Sequence, residues 1–279
     1  MTTAVAARTT APLGRVLLAE LRWVLRRPRN LASLAVLALM PVLIGIAVVL
    51  TGGPDGGDGP PALATVAGNG LVLPVATLVL AQSMLLPLVV SMTAADALAG
   101  ESAHGTLRGL VMAPISRTRL VGVKAVGVLV MTVLSVVVIG VSGVLTGLVI
   151  VGGGDLVTMS GTTLPMGSGL GRVALAVGWS VVQMAAVGAI ALAISSFTDH
   201  PLMVMVTTMG ALIVFGVLGA LPALDWLHPL LITKGWASVM EVLRDPIATG
   251  PLVDGLLRAG CYVVIGVSAA VFRMSSKDV

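Results

Sequence analysis

Along this chain the apolar residues do not recur at the period of a surface helix or strand. They run on in blocks of about 20, and the polar residues gather in the gaps. The first block, 31–50, holds 20 residues without a charge. At 1.5 Å per residue that is roughly 30 Å of helix, the thickness of a bilayer's hydrocarbon core. Further blocks at about 71–95, 125–151, 173–195, 202–221 and 256–272 bring the predicted spans to six. The second contains Pro74 and Pro87; each removes a helix hydrogen bond, so this span is predicted to be kinked. The expected fold is an all-α polytopic membrane protein. A six-span transmembrane domain covers 31–272, with an arm and interfacial helix at 1–30 before it and a short tail at 273–279 after it.

The gaps carry patterns of their own. In "LGRVLLAELRWVLRRPRN", 13–30, helical periodicity puts Arg15, Arg22, Arg26 and Arg29 on one face and Leu17, Leu21 and Val24 on the other. That predicts a helix lying in the membrane interface until Pro28 breaks it into the first span. "TGGPDGGDGPP", 51–61, is a turn-forming acidic loop, and a Gly/Ser/Thr-rich loop occupies 152–171. "SFTDHP", 196–201, is a tight connection, whereas 222–254 is a longer polar and aromatic segment.

The gap at 96–124 is longer than a connection requires. In "GESAHGTLRGLVMAPISRTRLVGVK", 100–124, Gly100 and Gly105 permit sharp changes of direction. Thr106 can cap a short apolar helix over 106–112, Pro114 stops it, and Ser116 can cap the next helix, which carries Arg117, Arg119 and Lys124 to the membrane surface. A small helix projecting from the ends of two spans has the shape needed to dock in a groove of another protein.

Composition agrees with this class: 57% of residues are hydrophobic and 10% charged, with a mean hydropathy of +1.09, against about 25% charged in soluble domains. The charges also orient the chain. Arg8, Arg15, Arg22, Arg26, Arg27, Arg29, Arg108, Arg117, Arg119, Lys124, Arg273 and Lys277 fall on one predicted side. The other holds Arg172, Lys234, Arg244 and Arg258, together with the acidic pair Asp55 and Asp58. The bias of basic residues toward cytoplasmic loops puts both termini and the 96–124 segment in the cytoplasm. The pI near 10.0 follows from the same asymmetry, and without an aromatic-interleaved basic groove it speaks for a membrane surface and against nucleic acid. The 31–50 block is span-length rather than the shorter core of a cleaved signal peptide, so it is expected to be retained. The single cysteine, Cys261, falls in a predicted span and is expected to pack there.

Candidate chemistry is sparse. There is no His-Glu-x-x-His pair and no Gly-x-Ser-x-Gly elbow, and His104, His200 and His228 lie on separate loops, so neither a catalytic nor a metal site is expected. A phosphate-binding loop needs Gly-Lys-Ser/Thr, but Lys124, Lys234 and Lys277 are followed by Ala, Gly and Asp. Any ATP-derived energy must therefore arrive through another polypeptide. No span centre carries a carboxylate or a cation, which argues against a proton relay. Gln82, Ser83, Gln183, Thr207 and Thr208 are among the few polar residues within spans, each able to bond across helices. Gly143 and Gly147 are spaced for close approach of the third span to a neighbour, and Trp226 and Trp236 are placed to mark the outer interface.

"AGESAHGTLRGLVMAPISRTRLVGVK", 99–124, resembles the Gly-Glu, Gly-Thr-Leu, Pro-x-Ser-Arg, Lys signature between the second and third spans of ABC type-2 transporter permeases. "WLHPLLITKGWASVMEVLRDPIATGPLVDGLL", 226–257, is similar to the external segment of a bacterial subgroup, which carries an Arg-Asp-Pro such as Arg244, Asp245 and Pro246. The resemblance implies a dimeric permease, a homodimer or a pair with a similar second permease, in a bacterial plasma membrane. It implies that a coupling helix sits in a groove of a separate ATPase subunit, which would bind ATP and Mg²⁺ while this chain binds no cofactor. Glu101, His104, Gly105, Thr106, Leu107, Arg108 and Arg117 would form the coupling site. The interfacial helix, with Arg15, Arg22 and Arg26, would rest on the same subunit. Gln82, Thr207 and Thr208 are the candidates for a pathway lined by the second and fifth spans. The implied function is export of an apolar or amphipathic substrate, such as a drug, a natural product or a lipid-like molecule. The alternatives are an ATP-independent channel or carrier, and a membrane scaffold.

Overall fold

The computed structural model describes residues 13–50, 69–103, 116–152 and 154–276. Helix α1 (Leu13–Arg26) is followed by α2 (Pro28–Leu50), then α3 (Leu73–Ser83) and α4 (Leu85–Ala103), then α5 (Arg117–Gly152), α6 (Met166–Phe197), α7 (Pro201–Gly219) and α8 (Thr249–Ser276). Five of these are long and apolar enough to cross a membrane, and α3 with α4 makes a sixth, bent by 55°. The all-α, multi-pass architecture follows the hydropathy blocks. Some helices overrun their blocks: a 32-residue α6 and a 28-residue α8 extend well past a 30 Å layer.

The bend in the second span has one cause rather than two. Pro87 lacks an N–H, and its ring clashes with the carbonyl four residues back, at Ser83. The helix stops at Ser83, with Met84 at φ −150° and ψ −49°. Pro74 kinks nothing, because it occupies the first turn of α3, where a missing N–H costs no bond.

The spans converge on α6, which is buried along most of its length and packs against α8, α4 and α5. In lipid this packing rests on close van der Waals fit rather than expulsion of water, and the glycines supply it. A Cβ on Gly143 would lie 2.7 Å from Pro74 Cα, and one on Gly147 would overlap the carbonyl of Gly70. The pair expected to permit close approach therefore does so, against the start of the second span. By contrast α7 has only 17% of its apolar window buried within the protomer, and Leu202, Met203, Val206 and Ile213 face outward.

At the end of the bundle remote from α1, the loop after α5 folds into a two-residue hairpin, β1 (Leu156–Val157) with β2 (Thr163–Leu164). The polar segment beyond α7 forms two 3₁₀ stretches, Pro222–Leu230 and Ile232–Leu243. Arg172 fastens the end of the second, donating to the carbonyls of Val242 (2.9 Å) and Arg244 (2.6 Å) and to Asp245 Oδ1 (3.3 Å). Two expectations are corrected here. Trp236 is 7% exposed, sealed between the second 3₁₀ stretch and the helices, so of the expected pair only Trp226 is available to an interface. Cys261 is exposed rather than packed, because the residues of α8 that pack inward around it are Ala259 and Gly266.

Candidate functional site

The charged residues at the α1 end of the bundle assemble into a site that joins four elements. α1 is amphipathic, with Arg15, Arg22 and Arg26 exposed and Leu17, Glu20, Leu21 and Val24 turned toward the bundle. Gly127 of α5 lets it come close: a Cβ there would meet Glu20 Cγ at 3.3 Å and Val24 Cγ2 at 3.5 Å. Pro28 ends α1 and opens α2 at its first position. Asn30, buried, donates from Nδ2 to the Val24 carbonyl at 2.8 Å, satisfying one of the acceptors left open at the end of α1.

On the facing span, the helix widens into a π turn at Asp96–Gly100. Residues five apart lie about 140° apart around an α-helix; the wider turn brings Asp96 and Glu101 much closer to a common face. Its loosened backbone is recaptured by Ser195 of α6, which accepts from Ala99 N at 2.9 Å and donates to the Ala95 carbonyl at 3.3 Å. Asp96 then accepts from both Arg27 and Arg29. Glu101 accepts from Lys124 of α5, whose ammonium also reaches Glu20 Oε2 at 2.7 Å. Lys124 has a side-chain exposure of 3%, and Glu20 and Glu101 of 11% each. Trp23 roofs the cluster, with Arg27 Cζ 3.4 Å and Lys124 Nζ 5.1 Å from its ring centroid. Burial holds the Arg27 guanidinium below its ordinary pKa, against the opposing pull of Glu101 and Glu20.

Both anchors of the 104–115 segment are clamped to the bundle. On the entering side Ser102 Oγ donates to Asp199 Oδ1 at 2.5 Å, in the connection between α6 and α7. On the leaving side Ser116 caps α5, its Oγ accepting from Arg119 N. Arg117 Nη1 donates to the Met274 and Ser275 carbonyls at 3.2 Å, the negative end of the α8 dipole. His104, Gly105, Thr106, Leu107 and Arg108, and with them the expected helix at 106–112, lie outside the described residues.

Of the residues singled out from sequence, the structure brings Glu101 into the buried cluster, sets Arg117 on α8, and leaves Arg15, Arg22 and Arg26 exposed. Gln82 is buried, donating to Ser180 Oγ at 3.0 Å, so it faces α6. Thr207 is exposed and Thr208 is 2% exposed, so these neighbours, about 100° apart around α7, fall on either side of the edge of its buried face. Sequence reasoning missed Glu20, Trp23, Asp96 and the burial of Lys124. The signal for Glu20 was available: it is the one acidic residue of α1 and lies on the same helical face as Leu17, Leu21 and Val24.

Residues 16–234 match the family model described as ABC-2 family transporter protein. No curated protein matches the chain in sequence.

Proposed function

The chain belongs to the ABC-2 transporter family, and on that premise we propose that it is the membrane subunit of an ATP-driven exporter of apolar or amphipathic molecules. A permease subunit of this family works with a separate ATPase. In this reading the 104–115 segment docks in the ATPase, α1 rests beside it on the inner membrane surface, and the 222–254 segment lies on the outer side.

The observation that carries the proposal is the buried Glu20–Lys124–Glu101 cluster. A docked partner can move the spans only if the contact is stiffly joined to them. The cluster supplies that joint, because α1, α4 and α5 share one ammonium at the root of the 104–115 segment. A push on the segment then reaches α4, and through Ser195 reaches α6. The bare outer face of α7 supports pairing with a second permease protomer, and Thr207 lies on that face. ATP and Mg²⁺ belong to the partner in this scheme, and the preference for apolar cargo follows from the scarcity of charge along the spans.

The test is reconstitution of the chain with its candidate ATPase in vesicles. Arg108→Glu is expected to abolish association with the ATPase and substrate-stimulated ATP hydrolysis while leaving the permease folded. Transport that persists without any ATPase would establish a channel or carrier instead.

A further inference from the structure

A second site lies at the opposite end of the molecule. Between the first 3₁₀ stretch and the start of α8 is a cleft of about 870 Å³. Its lining is unusual in charge. Lys234 and Arg258 contribute two cations, Asp225 and Asp254 two carboxylates, and among the described residues no ion pair joins a member of one set to the other. The cations are held on backbone instead: Lys234 Nζ donates to the Gly219 carbonyl at 3.0 Å and Arg258 Nη1 to the Leu231 carbonyl at 3.2 Å. Gly235 lets the guanidinium lie against the segment, since a Cβ there would meet Arg258 Nη1 at 3.4 Å. Asp225 accepts from or pairs with His228 Nδ1 at 3.1 Å and is otherwise open to solvent.

The cleft is also ordered by depth. Asp254, Arg258, Cys261 with Tyr262, and Ile265 follow one another along one face of α8, each about one turn of 5.4 Å deeper than the last. Leu257, level with Arg258, and Ile265, about two turns further along, supply apolar surface together with Leu230, and all three are exposed. From the end of the helix inward, the face thus reads carboxylate, guanidinium, then hydrocarbon.

We propose that this cleft binds a zwitterionic lipid carrying a phosphate-linked primary ammonium. The phosphate bonds Arg258 and Lys234, the ammonium reaches Asp254, and an acyl chain lies along Leu257 and Ile265. Balanced charges that leave one another unpaired complement a ligand carrying both signs, whereas a simple anion would leave Asp254 opposed by its own charge. The apolar wall requires a tail, which separates the lipid from its soluble headgroup. The site itself does not depend on export; only its placement at the outer leaflet, which follows if the 222–254 segment is external, rests on the orientation proposed above.

Cys261, the one cysteine of the chain, lines the cleft and reports its occupancy. The full-length protein in detergent is titrated with lipid while maleimide modification of Cys261 is timed. Phosphatidylethanolamine is expected to protect at about tenfold lower concentration than phosphatidylglycerol, the lower end for one charge-assisted hydrogen bond. Glycerophosphoethanolamine, which has no acyl chains, is expected not to protect at all. Asp254→Asn should reduce protection by phosphatidylethanolamine to the phosphatidylglycerol level, and Lys234→Gln should weaken both. Arg258→Gln should abolish both, with the thermal transition read alongside to exclude misfolding. Equal protection by the two lipids in the wild type would overturn the ammonium contact. Protection by the soluble headgroup, or by neither lipid, would overturn the site.

Discussion

Removing the ammonium of Lys124 tests whether the charged cluster joins α1, α4 and α5 as argued. In Lys124→Met the side chain keeps its length, but Glu20 and Glu101, each 11% exposed, face one another without the cation they shared. Arg27, held on Asp96, is the remaining nearby cation. Deleting one partner of a buried ion pair costs about 3–5 kcal/mol, because the charge left behind is uncompensated. Two carboxylates are stranded here, so the loss should fall in the upper part of that range. The control is the triple variant Lys124→Met, Glu20→Met, Glu101→Met, in which no charge remains to be stranded; replacing a buried ion pair by apolar groups of similar size is commonly neutral or stabilising. Denaturant unfolding in detergent should show the single variant far below wild type and the triple variant within about 1 kcal/mol of it. Both variants should have lost the dependence of transport on ATP hydrolysis. A single variant that unfolds within about 1 kcal/mol of wild type would refute a buried cluster, and a triple variant that still couples would refute its role as a joint.

Three further outcomes are expected. Gly147→Ala places a methyl group on the Gly70 carbonyl and should destabilise by at least about 1–3 kcal/mol, whereas Gly122→Ala, exposed on α5 with nothing within 4 Å, should stabilise by up to about 1 kcal/mol; thermal unfolding of the two compares them directly. Pro87→Ala restores a hydrogen bond to the Ser83 carbonyl, and the 55° bend should diminish, measured as an increased distance between spin labels at the two ends of the second span. Arg172→Gln removes the donor shared by Val242, Arg244 and Asp245, so limited proteolysis should cut the 222–254 segment several-fold faster while the spans stay protected.

The spans were legible because the membrane imposes one simple rule, unbroken apolar length, and blocks such as 31–50 obey it without help from tertiary context. Caps were legible for the same reason of locality: Ser116 and Pro28 act on their own helices. What was not legible was sidedness. Trp236 reads as an interface residue and Cys261 as a core residue, yet Trp236 is buried and Cys261 exposed, because the second 3₁₀ stretch packs down on the helices and α8 turns Ala259 and Gly266 inward instead. Pro74 and Pro87 look equivalent in the chain and each ends up in the first turn of a helix, but only Pro87 has a helix before it, α3, whose run it ends at Ser83.

Glu101, which the resemblance to ABC type-2 permeases assigns to a coupling site, lies buried against Lys124 near the end of α4. Its burial depends on three events far apart in the chain: the π turn at Asp96–Gly100, Gly127 admitting α1, and Lys124 arriving one turn before Gly127 on α5. Each is weak evidence alone. Together they place Glu101 and Lys124 where α1, α4 and α5 meet, and under the proposed function a carboxylate so placed would transmit the push of the ATPase rather than touch it. The distinction is measurable. A contact residue replaced by Gln should weaken association with the ATPase, whereas a pivot replaced by Gln should leave association intact and lower the amount of transport per ATP hydrolysed. If Glu101→Gln instead dissociates the ATPase while leaving unfolding unchanged, the carboxylate acts at the surface, and the buried pivot is the wrong account of this end of the molecule.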